Sequence, residues 1–292
     1  MISILSRPLF FFSLLIVAAH TDAPKRSVPF YRITHAHSSD TSYLFGTLHL
    51  LESSYVDTMP QVMAALGRAN LVVGELALDS SLTSGAISEI LSGPPLDSLL
   101  TKDQYKKIKQ AVKEYVQLPM MLFQNVEPVM LDAMILEGMY TRAHPENHTT
   151  GIPMDLFFQQ QAAKRGVRVI GLEHAEDQET VLDSIPLKEQ IDDLMELVSN
   201  PKTAMSELDS MLADYRAGKI TEILDDPSFG ELSPKEIASM LYDRNKKWLD
   251  TLPTILAGHR AFIAVGAGHL AGAHGLVEGL RKKGYTVTPE EP

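Results

Sequence analysis

The chain has no cysteine. That excludes disulfides, thiolate nucleophiles, cysteine-ligated zinc and a lipid anchor on cysteine, so the fold must rest on its core alone. Basic residues are also scarce: 26 Lys and Arg against 37 Asp and Glu leave a formal net charge of -11. The pairs Lys106-Lys107, Lys246-Lys247 and Lys282-Lys283 lie in helix-like segments and form no basic stripe, which argues against a nucleic-acid partner. No phosphate-cradling loop is present either, because the glycines of GAGHLAG, at 266, 268 and 272, miss the GxGxxG spacing. A GxSxG serine elbow is absent.

Long apolar runs are missing after the first twenty residues. Before that point, Arg7 and the run PLFFFSLLIVAA from Pro8 to Ala19 read as a secretory signal over residues 1–19, cleaved after Ala19. The expectation is an exported protein, periplasmic or secreted, with no integral membrane segment once the signal is removed. At 292 residues, 45% hydrophobic and 22% charged, the remainder suits a globular body, read as a single domain over residues 28–290.

Strand-like and helix-like patterns alternate along that body. FYRIT (Phe30 to Thr34) and SYLFGTLH suggest a hairpin around His35 to Thr41, followed by a helix from Pro60 to Arg68 and a buried strand LVVGEL ending on Glu75. Helical spacing covers Asp103 to Val116 and Val129 to Tyr140. The methionines Met120, Met121, Met130, Met134 and Met139 read there as core filler. GIPMDLFFQQQAAKRG predicts a helix closed by Gly166, then the strand VRVIGL. Pro186, Pro201, Pro227 and Pro234 punctuate further helices. The strand FIAVG, a helix from Gly272 to Lys283 and the strand YTVTP complete the pattern. The expected class is α/β, with a helical middle block over about 99–248.

Chemistry is concentrated where strands end. YLFGTLHL and FIAVGAGHL share one grammar: apolar strand, glycine, two residues, histidine, leucine. In α/β sheets ligands gather beyond the carboxyl ends of strands, so His49 and His269 are expected at one mouth. Two imidazoles and a carboxylate suit a divalent ion, and Glu75 is the first candidate carboxylate. Asp155 and Glu173 are further candidates. A lone histidine is as readily a hydrogen-bonded structural group, and the remaining histidines (His35, His37, His144, His148, His259 and His274) sit in loops or beside helix ends.

GTLH, VVGEL, GIPMDLFFQQQAAKRGVRVIGLEH, RNKKW and AVGAGHLAG, in that order, resemble the TraB/PrgY/GumN family, to which the TIKI metalloproteases are related. The resemblance implies a TIKI-like, EreA/ChaN-like sheet-and-helix core of two related halves with a helical insertion. It implies a divalent metal centre (Mn, Co or Zn) and, in the TIKI branch, hydrolysis of a peptide bond near a substrate's amino terminus. The metal residues it implies are His49, His269 and Glu75. The catalytic residues are Glu75, as ligand or proton acceptor, with Arg244 and Asn245 from the arginine-asparagine pair. Asp155 matches the aspartate of the family's middle helix. After GLE, where many relatives carry a small hydroxyl residue, His174 stands, as an extra ligand, a supporting partner or a surface residue. The expected function is an exported metal-dependent hydrolase, a metalloprotease acting on a peptide or protein. The alternative is a protein of the same fold that sequesters a peptide signal without cutting it. Oligomeric state is unspecified.

Overall fold

The computed structural model describes residues 29–36, 40–77, 93–145, 152–219 and 234–292. The signal segment, His37, His148 and Pro227 lie outside the described residues. Six strands form one mixed sheet: β1 (Phe30–Thr34), β2 (Ser42–Thr47), β3 (Leu71–Gly74), β4 (Arg168–Gly171), β5 (Ala261–Gly266) and β6 (Thr286–Pro289). Their order is β4-β3-β5-β2-β1-β6. The four strands β4, β3, β5 and β2 run parallel, while β1 is antiparallel to both β2 and β6.

The strand cores are near-continuous apolar runs, as parallel strands covered on both faces require. Phe45, Val72, Val73, Phe262 and Ile263 are all buried. Helix α1 (Pro60–Arg68) begins with proline at its first turn and buries Val62, Ala65 and Leu66. Helices α2 (Lys102–Ala111) and α3 (Pro128–Ala143) follow. Helix α4 (Met154–Lys164) packs along β3, β4 and β5, placing Phe158 edge-on to Phe45. Gly166, at φ 67, turns the chain out of α4 in the left-handed conformation.

A second apolar cluster forms a helical lobe beside the sheet. Ile108, Val112, Phe123, Leu131, Ile135 and Leu194 are its centre. It is built from α2, α3 and α6 (Leu187–Ser199), which comes after α5 (Ala175–Asp183). Met120 and Met139 fill this core as expected, but Met121 is 75% exposed beside exposed Leu118 and Leu122. The reason is local: Met120–Phe123 is a single tight 3-10 turn, which turns only part of its surface inward. Leu136 and Met205 border both clusters and join the lobe to the sheet core. The last helices are α7 (Pro201–Arg216), α8 (Asp243–Gly258) and α9 (Leu276–Lys282).

Among the described residues, no helix is long and apolar enough to cross a membrane.

Candidate active site

The carboxyl ends of the four parallel strands all point to one rim of the sheet, and each delivers a polar residue within three positions of its end. His49 follows β2, Glu75 follows β3, Glu173 follows β4 and His269 follows β5. Pairing of Thr47 with Gly266 sets the two histidine turns side by side, and pairing of Gly74 with Gly171 does the same for the two glutamates.

Both GxxH glycines have a steric reason. A Cβ on Gly46 would lie 3.0 Å from the Ala267 Cα, in the other histidine turn, and one on Gly266 would lie 3.1 Å from Glu75 Oε1. Without side chains there, the turns nest together and Glu75 reaches the backbone. The Gly266 N–H donates to Glu75 Oε1 at 2.7 Å.

Glu75 is held from its other side by α8. Arg244 Nη2 lies 2.5 Å from Glu75 Oε2 and also 2.5 Å from Glu173 Oε1, while Arg244 Nε donates to Glu173 Oε2 at 3.0 Å. Arg244 Nη1 donates to the Met240 carbonyl. That carbonyl belongs to a π-helical turn, Ala238–Tyr242, immediately before α8. Gln178 Nε2 donates to Glu173 Oε1, and the Trp248 indole N–H donates to Glu173 Oε2. The guanidinium also stacks over the Trp248 ring at 5.0 Å.

Arg244 is therefore a buried clamp, with its side chain 14% exposed and its donors committed to two carboxylates and a carbonyl. Two glutamates and a carbonyl thus occupy the guanidinium. Glu173 is likewise fully engaged through both oxygens.

Asn245 and Trp248, on the same face of α8, reach His269. Asn245 Oδ1 lies 2.7 Å from His269 Nδ1, and the two aromatic rings of Trp248 and His269 are 4.3 Å apart. His269 Nε2 faces Glu75 Oε1 at 3.8 Å. Burial pushes His269 down to about 4, with Glu75 pulling upward and Arg244 downward, so the ring is neutral at neutral pH. Burial opposes ionisation of Glu75, yet the adjacent His269 and Arg244 and the Gly266 N–H hold its carboxyl below the usual range. Arg244 is the decisive partner, being charged at every relevant pH.

His49 stands apart from this network. Its Nδ1 lies 2.7 Å from Asp155 Oδ2, which comes from the first turn of α4, and its side chain is 76% exposed. The Asp155 contact drives the imidazole up to about 9, with Glu75 and Glu137 adding to it. Glu75 and His49 are thus electrostatic neighbours. Asp155 Oδ2 and Thr47 Oγ1 are buried without an aligned hydrogen bond. His174 is a surface residue whose N–H is capped by Asp177 Oδ2 at the start of α5.

The structure thus brings Glu75, Glu173, Arg244, Asn245 and His269 into one network, and pairs His49 with Asp155 beside it. Among the described residues, no three His, Asp or Glu side chains converge tightly enough to hold a metal ion. The donor set nonetheless suits one: a carboxylate oxygen facing a neutral imidazole nitrogen is half of a metal shell, and a second imidazole, His49, stands at the same rim. Sequence reasoning missed Trp248 and Gln178 as site residues. The i, i+4 spacing of Arg244 and Trp248 in RNKKW was a usable signal for the first; nothing local marked Gln178.

The profile of the TraB/PrgY/gumN family matches residues 29–289. The chain is similar to metalloprotease TIKI2 of Danio rerio, 24% identical over 86% of this chain and 59% of that protein. It is similar to the metalloprotease TIKI homolog of Amphimedon queenslandica, 27% identical over 86% and 59%. Metalloprotease TIKI1 of Homo sapiens is 23% identical over 84% and 59%. The chain therefore spans about three-fifths of the length of these curated relatives. No solved structure matches it significantly.

Proposed function

The chain belongs to the TraB/PrgY/gumN family, and from that membership we propose that it is an exported metal-dependent hydrolase, a peptidase acting where Glu75 and His269 meet. The observation that carries this reading is the 3.8 Å approach of Glu75 Oε1 to the neutral His269 Nε2 at the carboxyl rim of a parallel sheet. Relatives named metalloproteases support the same class.

His49, His269 and Glu75 would hold a divalent ion such as Mn, Co or Zn. When bound, such an ion supplies Lewis acidity and a water of lowered pKa. Glu75 keeps its negative charge because Arg244 grips Oε2, which leaves Oε1 to ligate or to accept a proton. His269 offers an unprotonated nitrogen, being buried and neutral. Arg244 holds Glu75 and Glu173 at a fixed spacing; charge on a substrate is not its partner. Asp155 anchors His49.

The test is metal content of purified protein by mass spectrometry, with cleavage of a peptide library, for wild type, His49→Ala and His269→Ala. Expected are one ion per chain, its loss in both variants, and cleavage abolished by a chelator. No metal in wild type overturns the reading. Peptide retained but never cut makes the protein a sequestering one instead.

A further inference from the structure

The side-chain amide of Asn245 is 1% exposed, and its orientation is dictated by its neighbours. Nδ2 lies 3.1 Å from the His269 carbonyl and 3.0 Å from the His274 carbonyl. Carbonyls only accept, so the NH2 group must face them and Oδ1 must face the His269 ring. Oδ1 in turn only accepts, at 2.7 Å, so the ring hydrogen sits on Nδ1. Nε2 is then bare, and it points at a carboxylate oxygen that also carries only lone pairs. Two acceptors facing each other in a buried setting repel unless something electron-poor lies between them. Trp248 packs against the face of the same ring, with centroids 4.3 Å apart.

We propose that Asn245 is a positioning residue that fixes His269 as its Nδ1–H tautomer and so presents Nε2 to the ligand-binding gap beside Glu75, and that Asp155 is a positioning residue that holds His49 by charge. The second half rests on charge rather than on a tautomer: Asp155 Oδ2 lies 2.7 Å from His49 Nδ1 without an aligned hydrogen bond. One anchor comes from α4 and the other from α8, so each GxxH turn is paired with one helix. The two anchors differ in charge. A neutral amide serves the buried ring and a carboxylate serves the exposed one. The inference rests on the metal reading above for the identity of the ligand, but the tautomer does not.

Two measurements separate them. Nitrogen NMR of metal-free protein with labelled histidine should show His269 with hydrogen on Nδ1 and a bare Nε2; hydrogen on Nε2 overturns the proposal. Cobalt titration, followed by absorbance, should show affinity lowered about 10- to 100-fold in Asn245→Leu and in Asp155→Ala. Asp155→Asn, which keeps an acceptor, should recover part of the loss. Unchanged affinity in both deletions overturns the proposal. Wild type that binds no cobalt sinks the metal reading while the NMR result still decides the tautomer. Should Asn245→Leu fail to fold, the wild-type spectrum and the Asp155 pair carry the decision.

Discussion

At the scale of single residues, Arg244 governs how two buried acids coexist. Glu75 and Glu173 share one guanidinium, and among the described residues no other Lys or Arg pairs with either. Removing one partner of such a buried group strands the others, at a cost of about 3–5 kcal/mol. Arg244→Met should therefore lower stability by about that amount in urea unfolding at pH 7, and adding Glu173→Gln should restore part of it. His269 sets the acid side of the pH profile. Its folded-state value, about 4, lies below the unfolded 6.5, so the unfolded chain takes up a proton that the folded one refuses. That contribution, at most about 3 kcal/mol, is complete above pH 6.5 and lost as pH falls toward 4. Glu75 and Asp155, both held below their ordinary range, extend the loss further down. His269→Gln should flatten the upper part of a plot of urea midpoint against pH. Residues of this kind were partly legible in the sequence. Histidine after glycine at a strand end, or glutamate ending an apolar strand, is conspicuous; that Arg244 faces inward and that Asp155 takes His49 are facts of helix orientation, which a short motif does not encode.

At the scale of elements, strand ends and helix seams decide. The expected helix Pro60 to Arg68 and the strand FYRIT coincide with the observed elements, and the expected strand LVVGEL is observed over Leu71–Gly74, because proline at a helix start and unbroken apolar runs are strong local signals. The expected helix through Val116 is instead α-helical only to Ala111 and π-helical from Val112 to Val116, ending on Gln117 at φ 60. Its cause is tertiary: Gly138 of α3 lies so close that a Cβ there would fall 2.4 Å from the Tyr115 carbonyl, and no local preference predicts that contact. Gly46→Ala forces a methyl against the Ala267 backbone; a loss of about 1–3 kcal/mol is expected in chemical unfolding. Along the seam of α3 and α6, burial and then Asp193 raise Asp132 to about 6. A raised acid favours folding when protonated, so this site contributes most below pH 4 and progressively less as pH rises through 6. Asp132→Asn should therefore raise the unfolding free energy from urea titration at pH 7.5 by on the order of 1 kcal/mol after solvent screening, and leave it unchanged at pH 3.5.

At the scale of the whole molecule, the α/β class and the alternation of elements were readable from the period of apolar residues, whereas the strand order was not. Order depends on which distant strands pair, and β5 pairs with both β2 and β3 across most of the chain. The same pairing draws His269 to Glu75, 194 positions earlier in the numbering. It also means that the strand Ala261–Gly266 occupies the middle of the sheet and Thr286–Pro289 closes its edge against β1. A ribosome must therefore pass residue 266 before the nascent polypeptide can close its centre. Until then its apolar strands are clients for chaperones, and a polypeptide stopped at residue 258 should remain protease-sensitive in a pulse-proteolysis assay where the full product resists.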